Sequence, residues 1–188
     1  SSLASVHVDL TTSLALFERI FAYLDLQPDV KENPNALSLE NVHGHVRFRD
    51  VSFSYDKGQD IFNGMDVAIE AGSFVALVGP SGSGKTTFTY LLTRLYDPET
   101  GMIAIDGHDI RDVTLQSLND QIGTVPQDPF LFHDTVYYNV AYGVEKTSLE
   151  AVEEACKAAQ IHDVIVALPN GYETLVGERG HRLSGGEI

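Results

Sequence analysis

The chain has 188 residues, 43% hydrophobic and 21% charged, which suits one globular domain with a short appendage and excludes a disordered chain. Its 27 acidic against 12 basic residues give a formal net charge of -15, a surface that repels phosphate backbones and anionic headgroups and so argues against general nucleic-acid binding. The single cysteine, Cys156, excludes an internal disulfide and fits a reducing compartment; its setting, Glu-Glu-Ala-Cys-Lys-Ala-Ala, reads as a helix with a small buried side chain.

In chain order, Leu3, Leu10, Phe17 and Leu24 recur every seven residues, with Val6, Leu14, Ile20 and Phe21 filling the same stripe. That spacing predicts an amphipathic helix over 3–24, which must pack on something. A partner helix suits it better than a membrane surface, because basic residues are scarce there. The segment 27–44, with two prolines and many polar residues, reads as a linker. Val46 and Phe48 alternate, then Val51, Phe53 and Tyr55 alternate in the opposite phase, which predicts a strand with a β-bulge near Arg49-Asp50. Val67 and Ile69 mark a second strand ending at Ala71-Gly72. Phe74 to Val78 is a continuous apolar run of the kind expected for a buried parallel strand.

Residues 79–87 read Gly79-Pro80-Ser81-Gly82-Ser83-Gly84-Lys85-Thr86-Thr87 and match G-x-x-x-x-G-K-[ST]. Each part has a chemical reason. Glycines let successive amides turn toward one phosphate, and the helix predicted from Lys85 to about Tyr96 presents its positive N-terminal end to the same anion. Lys85 would reach the β- and γ-phosphates, and the Thr86 hydroxyl would ligate Mg²⁺. The bare pattern arises by chance in roughly one chain of this length per hundred. Here it stands between a predicted strand and a predicted helix, so nucleotide binding is the reading.

Beyond the loop, Asp106-Gly107 between apolar stretches predicts a hairpin. A strand is expected to end at Val125, with Gln127 in the loop after it. Thr147 and Glu150 form a capping-box pattern ahead of a helix to about Gln160, and a shorter helix from His162 stops before Pro169-Asn170-Gly171. Glu153-Glu154 read as a solvated helix face. His43 and His45, without nearby cysteines, make no metal site.

A phosphate loop alone is compatible with many enzymes. Leu183-Ser184-Gly185-Gly186-Glu187 resembles the LSGGQ signature of the ABC ATPases, with glutamate in the last place. Gln127, in Val-Pro-Gln-Asp-Pro-Phe-Leu-Phe, resembles that family's Q-loop residue, and Tyr55, closing Val-Ser-Phe-Ser-Tyr, its aromatic A-loop residue. Thr174 to Gly180 resembles the exporter-type loop before the signature. In order and spacing, residues 45–187 resemble the nucleotide-binding domain of an ABC exporter of the multidrug or lipid type.

The resemblance implies an α/β fold, a P-loop NTPase core with an antiparallel β subdomain and a helical subdomain. Residues 1–26 would extend a last transmembrane helix, 27–44 would be a linker, and 45–188 the partial nucleotide-binding domain. Tyr55 would stack on adenine, Gln127 would ligate Mg²⁺ or orient water, and residues 183–187 would contact the γ-phosphate on a partner domain's loop. The implied partners are a second nucleotide-binding domain and a transmembrane domain at the cytoplasmic face of a membrane, with ATP and Mg²⁺ bound and no nucleic acid.

The family's acidic strand end, D-loop and switch histidine are not found up to Ile188. This stretch by itself is therefore expected to fold poorly and hydrolyse ATP negligibly. Two other readings remain open: a soluble ABC ATPase acting on nucleic acid or the ribosome, and a non-catalytic nucleotide-binding module.

Overall fold

A computed structural model describes residues 2–56, 58–126, 129–144 and 147–177. Their contacts group the chain into two units, 1–123 and 124–188. Gln127 and Leu183–Glu187 lie outside the described residues.

In the first unit, helix α1 (Ser2–Leu24) forms over the predicted stripe. Leu10, Leu14, Phe17 and Phe21 are all exposed on it. Among the described residues no helix is long and apolar enough to cross a membrane.

Strands β1 (Val46–Ser54), β2 (Asp60–Ile69), β3 (Thr100–Ile105) and β4 (His108–Asp109) form one antiparallel sheet in the order β2-β1-β3-β4. The bulge lies where the pattern changes phase. Phe48 pairs with Val67 but Val51 with Met65, so β1 advances three residues while β2 retreats two. Asp50, at φ 51°, absorbs the extra residue. The slip turns Val51 and Phe53 onto the buried side already occupied by Phe48.

Helix α2 (Lys85–Leu92) buries Phe88 and Leu91 against this face, and the Phe48 and Phe88 rings stack at 4.2 Å. Ile103, Ile105, Ile110 and Leu118 complete the core. Each such side chain contributes about 1.5–3 kcal/mol by leaving water. The β3–β4 hairpin turns at Asp106-Gly107, both with positive φ. The Asp106 carboxylate accepts the amides of His43, Gly44 and His45. Burial is the largest single influence and raises its pKa, but the three amides together, with His43 nearby, outweigh it and hold the carboxyl below the usual carboxylate range.

The segment 27–44 has no helix and contributes a single isolated bridge, Leu37 to Val113. It is nonetheless docked on the unit. Leu39 is buried, its amide donates to Ser117 Oγ, and Glu32 accepts the Leu115 amide at the start of helix α3 (Leu115–Asp120). The buried Arg94 guanidinium donates to Lys31 O at 3.0 Å.

The expectation of a buried strand at Phe74–Val78 is corrected. No ladder among the described residues includes it, Phe74 is 99% exposed and Val78 89%. A central parallel strand exists only through hydrogen-bonded neighbours on both sides, and no described strand pairs with this run. The strand expected to end at Val125 meets the same correction, since that residue belongs to no described strand and is 95% exposed.

In the second unit, α4 (Val136–Ala141), α5 (Leu149–Ala158) and α6 (His162–Val166) surround Val136, Val152, Cys156, Ile165, Tyr172 and Val176. Cys156 is the small buried residue expected. The cap of α5 is shifted by one residue from the predicted box. Ser148 Oγ accepts the Ala151 amide, while the Thr147 carbonyl is taken by the Tyr137 hydroxyl. Helix α6 begins at His162 as expected, with its Nδ1 2.9 Å from the Tyr172 hydroxyl. Burial pushes the Tyr172 phenol well above its ordinary range. Glu153 faces Lys157 one turn on, at 3.6 Å.

Candidate nucleotide site

The loop 79–84 is shaped by backbone conformation and by bonds within itself. Gly82 and Gly84 have φ of 81° and 85°, a region that side chains rarely adopt. A Cβ at Gly84 would lie 2.8 Å from two ring carbons of Phe62 and 2.9 Å from Ile61 Cγ2, so the position is closed sterically as well. The Ser83 amide donates to Pro80 O at 3.3 Å, and the Phe88 amide to Gly84 O at 2.8 Å, which closes the first turn of α2.

Gly84 caps α2 without a side chain, so the first-turn amides have no side-chain acceptor and no acidic residue beside them. That end of the helix favours an anion. The Lys85 ammonium is folded back into the loop, donating to Gly79 O at 3.0 Å, Pro80 O at 2.7 Å and Ser83 Oγ at 3.4 Å. The charge is thereby held at the cradle rather than on a free side chain. Thr86 is exposed at the first turn, an oxygen donor suited to a hard cation.

Thr87 is buried, and its hydroxyl lies 3.1 Å from the Tyr55 hydroxyl. The structure thus brings Tyr55, just beyond the end of β1, to the helix that follows the phosphate loop, although 32 positions separate the two residues. The Tyr55 ring stays 46% exposed. Phe53 and Tyr96 stand nearly perpendicular to it, with centroids at 5.0 and 5.1 Å. Pattern reading found Tyr55 and Thr87 but missed Tyr96, whose only signal was its aromatic character. A cavity of about 290 Å³ is lined on one side by the loop residues Gly79, Pro80, Ser83, Gly84 and Lys85 and on the other by Phe62, Met65, Val67, Leu77, Val78 and Phe88.

The family model for ABC transporters matches residues 62–188, more than half of the chain. The chain belongs to the ABC transporter family. Its fold is that of an ABC ATPase, a P-loop NTPase core with antiparallel and helical parts. It is 50% identical over 186 residues to a mitochondrial iron-sulfur clusters transporter of Chaetomium globosum, covering 98% of the chain and 31% of that protein. Identity is 45% over 185 residues to an ATP-dependent lipid A-core flippase of Syntrophus aciditrophicus, again 98% of the chain against 31% of the relative. A solved bacterial Atm1-family ABC exporter with ATP bound superposes with a TM-score of 0.87 at 46% identity, over 98% of this chain and 33% of that one. The ABC chain therefore spans about a third of the length of the relatives it matches.

Proposed function

We propose that the chain is the ATP-binding motor of an ABC exporter, in which ATP binding and hydrolysis by paired domains drive substrate across a membrane. The observation that carries this reading is the loop 79–87, which combines left-handed glycines, a helix start without a side-chain cap and a Lys85 ammonium held against the loop carbonyls. The amides of that helix start and Lys85 bind the phosphates, and Tyr55 offers adenine its exposed ring. Thr86, with Gln127, would hold Mg²⁺, which when bound neutralises charge on the phosphate oxygens.

Residues 183–187 act in trans, on the γ-phosphate of a second nucleotide-binding domain, and the Gln127 region passes the motion to a transmembrane domain on the same polypeptide. Exporter names among the relatives and the net charge of -15 favour this over a nucleic-acid or ribosome ATPase. The 188-residue stretch alone hydrolyses ATP negligibly, and an ordinary turnover with a cooperative melt would overturn that.

The test of the motor reading is Lys85→Ala in the full-length protein. Losing a charge-assisted contact of about 1.5–3 kcal/mol should weaken MgATP binding about tenfold or more and abolish ATP-driven transport. Unchanged affinity together with unchanged transport would refute the assignment.

A further inference from the structure

Adenine recognition by a stacked ring depends on how firmly that ring is held, because a ring free to rotate spends part of its time edge-on to the base. The Tyr55 ring has three supports. Its hydroxyl meets Thr87 Oγ1 at 3.1 Å, and Phe53 and Tyr96 stand at 84° and 83° to its plane. Thr87 belongs to the phosphate loop's helix and Phe53 to the strand that carries Tyr55. Only Tyr96 comes from a separate turn, and that turn is tied down on both sides.

Two residues before Tyr96, Arg94 adopts φ 54° with its side chain 2% exposed. Its guanidinium reaches across Tyr96 to Asp97 Oδ1 at 3.0 Å and also grips Ile110 O and Lys31 O. The Leu95 amide donates to Tyr90 O just before Tyr96. Just after it, the Glu99 amide donates to Ser52 O, and Ser54 Oγ donates to the Glu99 carboxylate. Ser52 and Ser54 flank Phe53 on β1. Tyr96 is therefore pinned on one side to the buried arginine and on the other to the strand that presents Tyr55. Its ring also lies among those of Phe53 and Tyr90, with centroids at 5.6 and 6.4 Å.

We propose that Tyr96 is a positioning residue for nucleobase recognition, its ring fixing the orientation in which Tyr55 meets adenine. The inference rests on the nucleotide-binding reading above and adds a residue that acts through Tyr55 rather than on the nucleotide. It makes a prediction that a general packing role does not, namely that loss of the Tyr96 ring is felt by the base and not by the phosphates.

The experiment measures binding of MgATP and of Mg-tripolyphosphate to the full-length protein by calorimetry. Perpendicular aromatic pairs of this kind lead us to expect that Tyr96→Leu weakens MgATP binding about three- to tenfold, with tripolyphosphate affinity unchanged. Tyr96→Phe should restore wild-type values, and in a Tyr55→Leu background Tyr96→Leu should cost nothing further. The proposal is overturned by any of three results: unchanged MgATP affinity, a parallel loss for tripolyphosphate, or losses at 55 and 96 that add in full. A Phe variant as weak as the Leu variant overturns it too, and because phosphate binding reports on folding, a misfolded variant counts against it. If the wild-type protein binds no MgATP, the nucleotide reading itself fails; if it binds and Tyr96→Leu matches it, only this inference does.

Discussion

The phosphate loop contains its own controlled experiment, because Gly82 and Gly84 share a left-handed backbone but differ in surroundings. At Gly82, φ is +81° and a Cβ would meet nothing within 4 Å. At Gly84, φ is +85° and the same Cβ would sit 2.8 Å from Phe62 Cε1 and Cζ and 2.9 Å from Ile61 Cγ2. Alanine at either position incurs the left-handed penalty of about 1–2 kcal/mol. Only at Gly84 is there an overpacking cost as well, about 1–3 kcal/mol for a methyl forced into packed neighbours.

Both costs fall on the cradle conformation that binding requires. Gly82→Ala should therefore weaken MgATP about 5- to 30-fold, and Gly84→Ala should exceed it by roughly a further factor of 5 to 150. Calorimetric titration of the full-length variants measures both. If the clash is with the β2 ring, Phe62→Ala should recover part of the Gly84→Ala loss and none of the Gly82→Ala loss. Gly82→Ala as damaging as Gly84→Ala would refute the steric reasoning, and an equal rescue of both would refute the role given to Phe62.

Arg94→Leu should destabilise the domain by about 3–5 kcal/mol, since Asp97, Ile110 O and Lys31 O lose a buried partner together. Hydrogen exchange should speed most around residues 31–37, and uniform or absent changes there would contradict the docking of that segment. At Asp106, the folded carboxylate lies below its ordinary pKa, so its contribution is complete above the unfolded value of about 3.9 and is lost as pH falls through the folded one. Asp106→Asn should therefore melt earlier than wild type at pH 6, with a gap that narrows toward pH 3; a constant gap would be the contrary result.

What was legible in the sequence was what depends on local backbone. The change of phase between Phe48 and Val51 announced a bulge because a period of two has only one way to shift by one residue. Asp106-Gly107 announced its hairpin, and the glycines of 79–84 their loop, for the same reason: the conformation is a property of a few adjacent residues. The α5 cap was misplaced by one residue because Thr147 and Ser148 are both competent caps, and it is Ser148 Oγ that takes the Ala151 amide. Tyr96 was invisible because its role arises only when a turn near 96 is brought against the end of β1. The docking of 27–44 was hidden likewise, since its prolines and polar residues describe a connection whether or not a buried arginine holds it.

The apolar run 74–78 and the two residues of β4 make the opposite point about strands. Phe74, Val75, Leu77 and Val78 have high strand preference yet form no ladder, while His108–Asp109, short and polar, pair with β3 because the turn at 106–107 delivers them there. Strand preference becomes strand only beside a neighbour, and burying Phe74 or Val78 would then add about 1.5–3 kcal/mol each. The phosphate loop begins at the very next residue, so its position would be expected to suffer from an unpaired run. Its shape does not, because every bond that forms it closes between residues 79 and 88: Lys85 to the carbonyls of 79 and 80, Ser83 to Pro80, and Phe88 to Gly84. A cradle built from such short closures carries its geometry within itself, and the strand before it sets where the cradle stands rather than what it is.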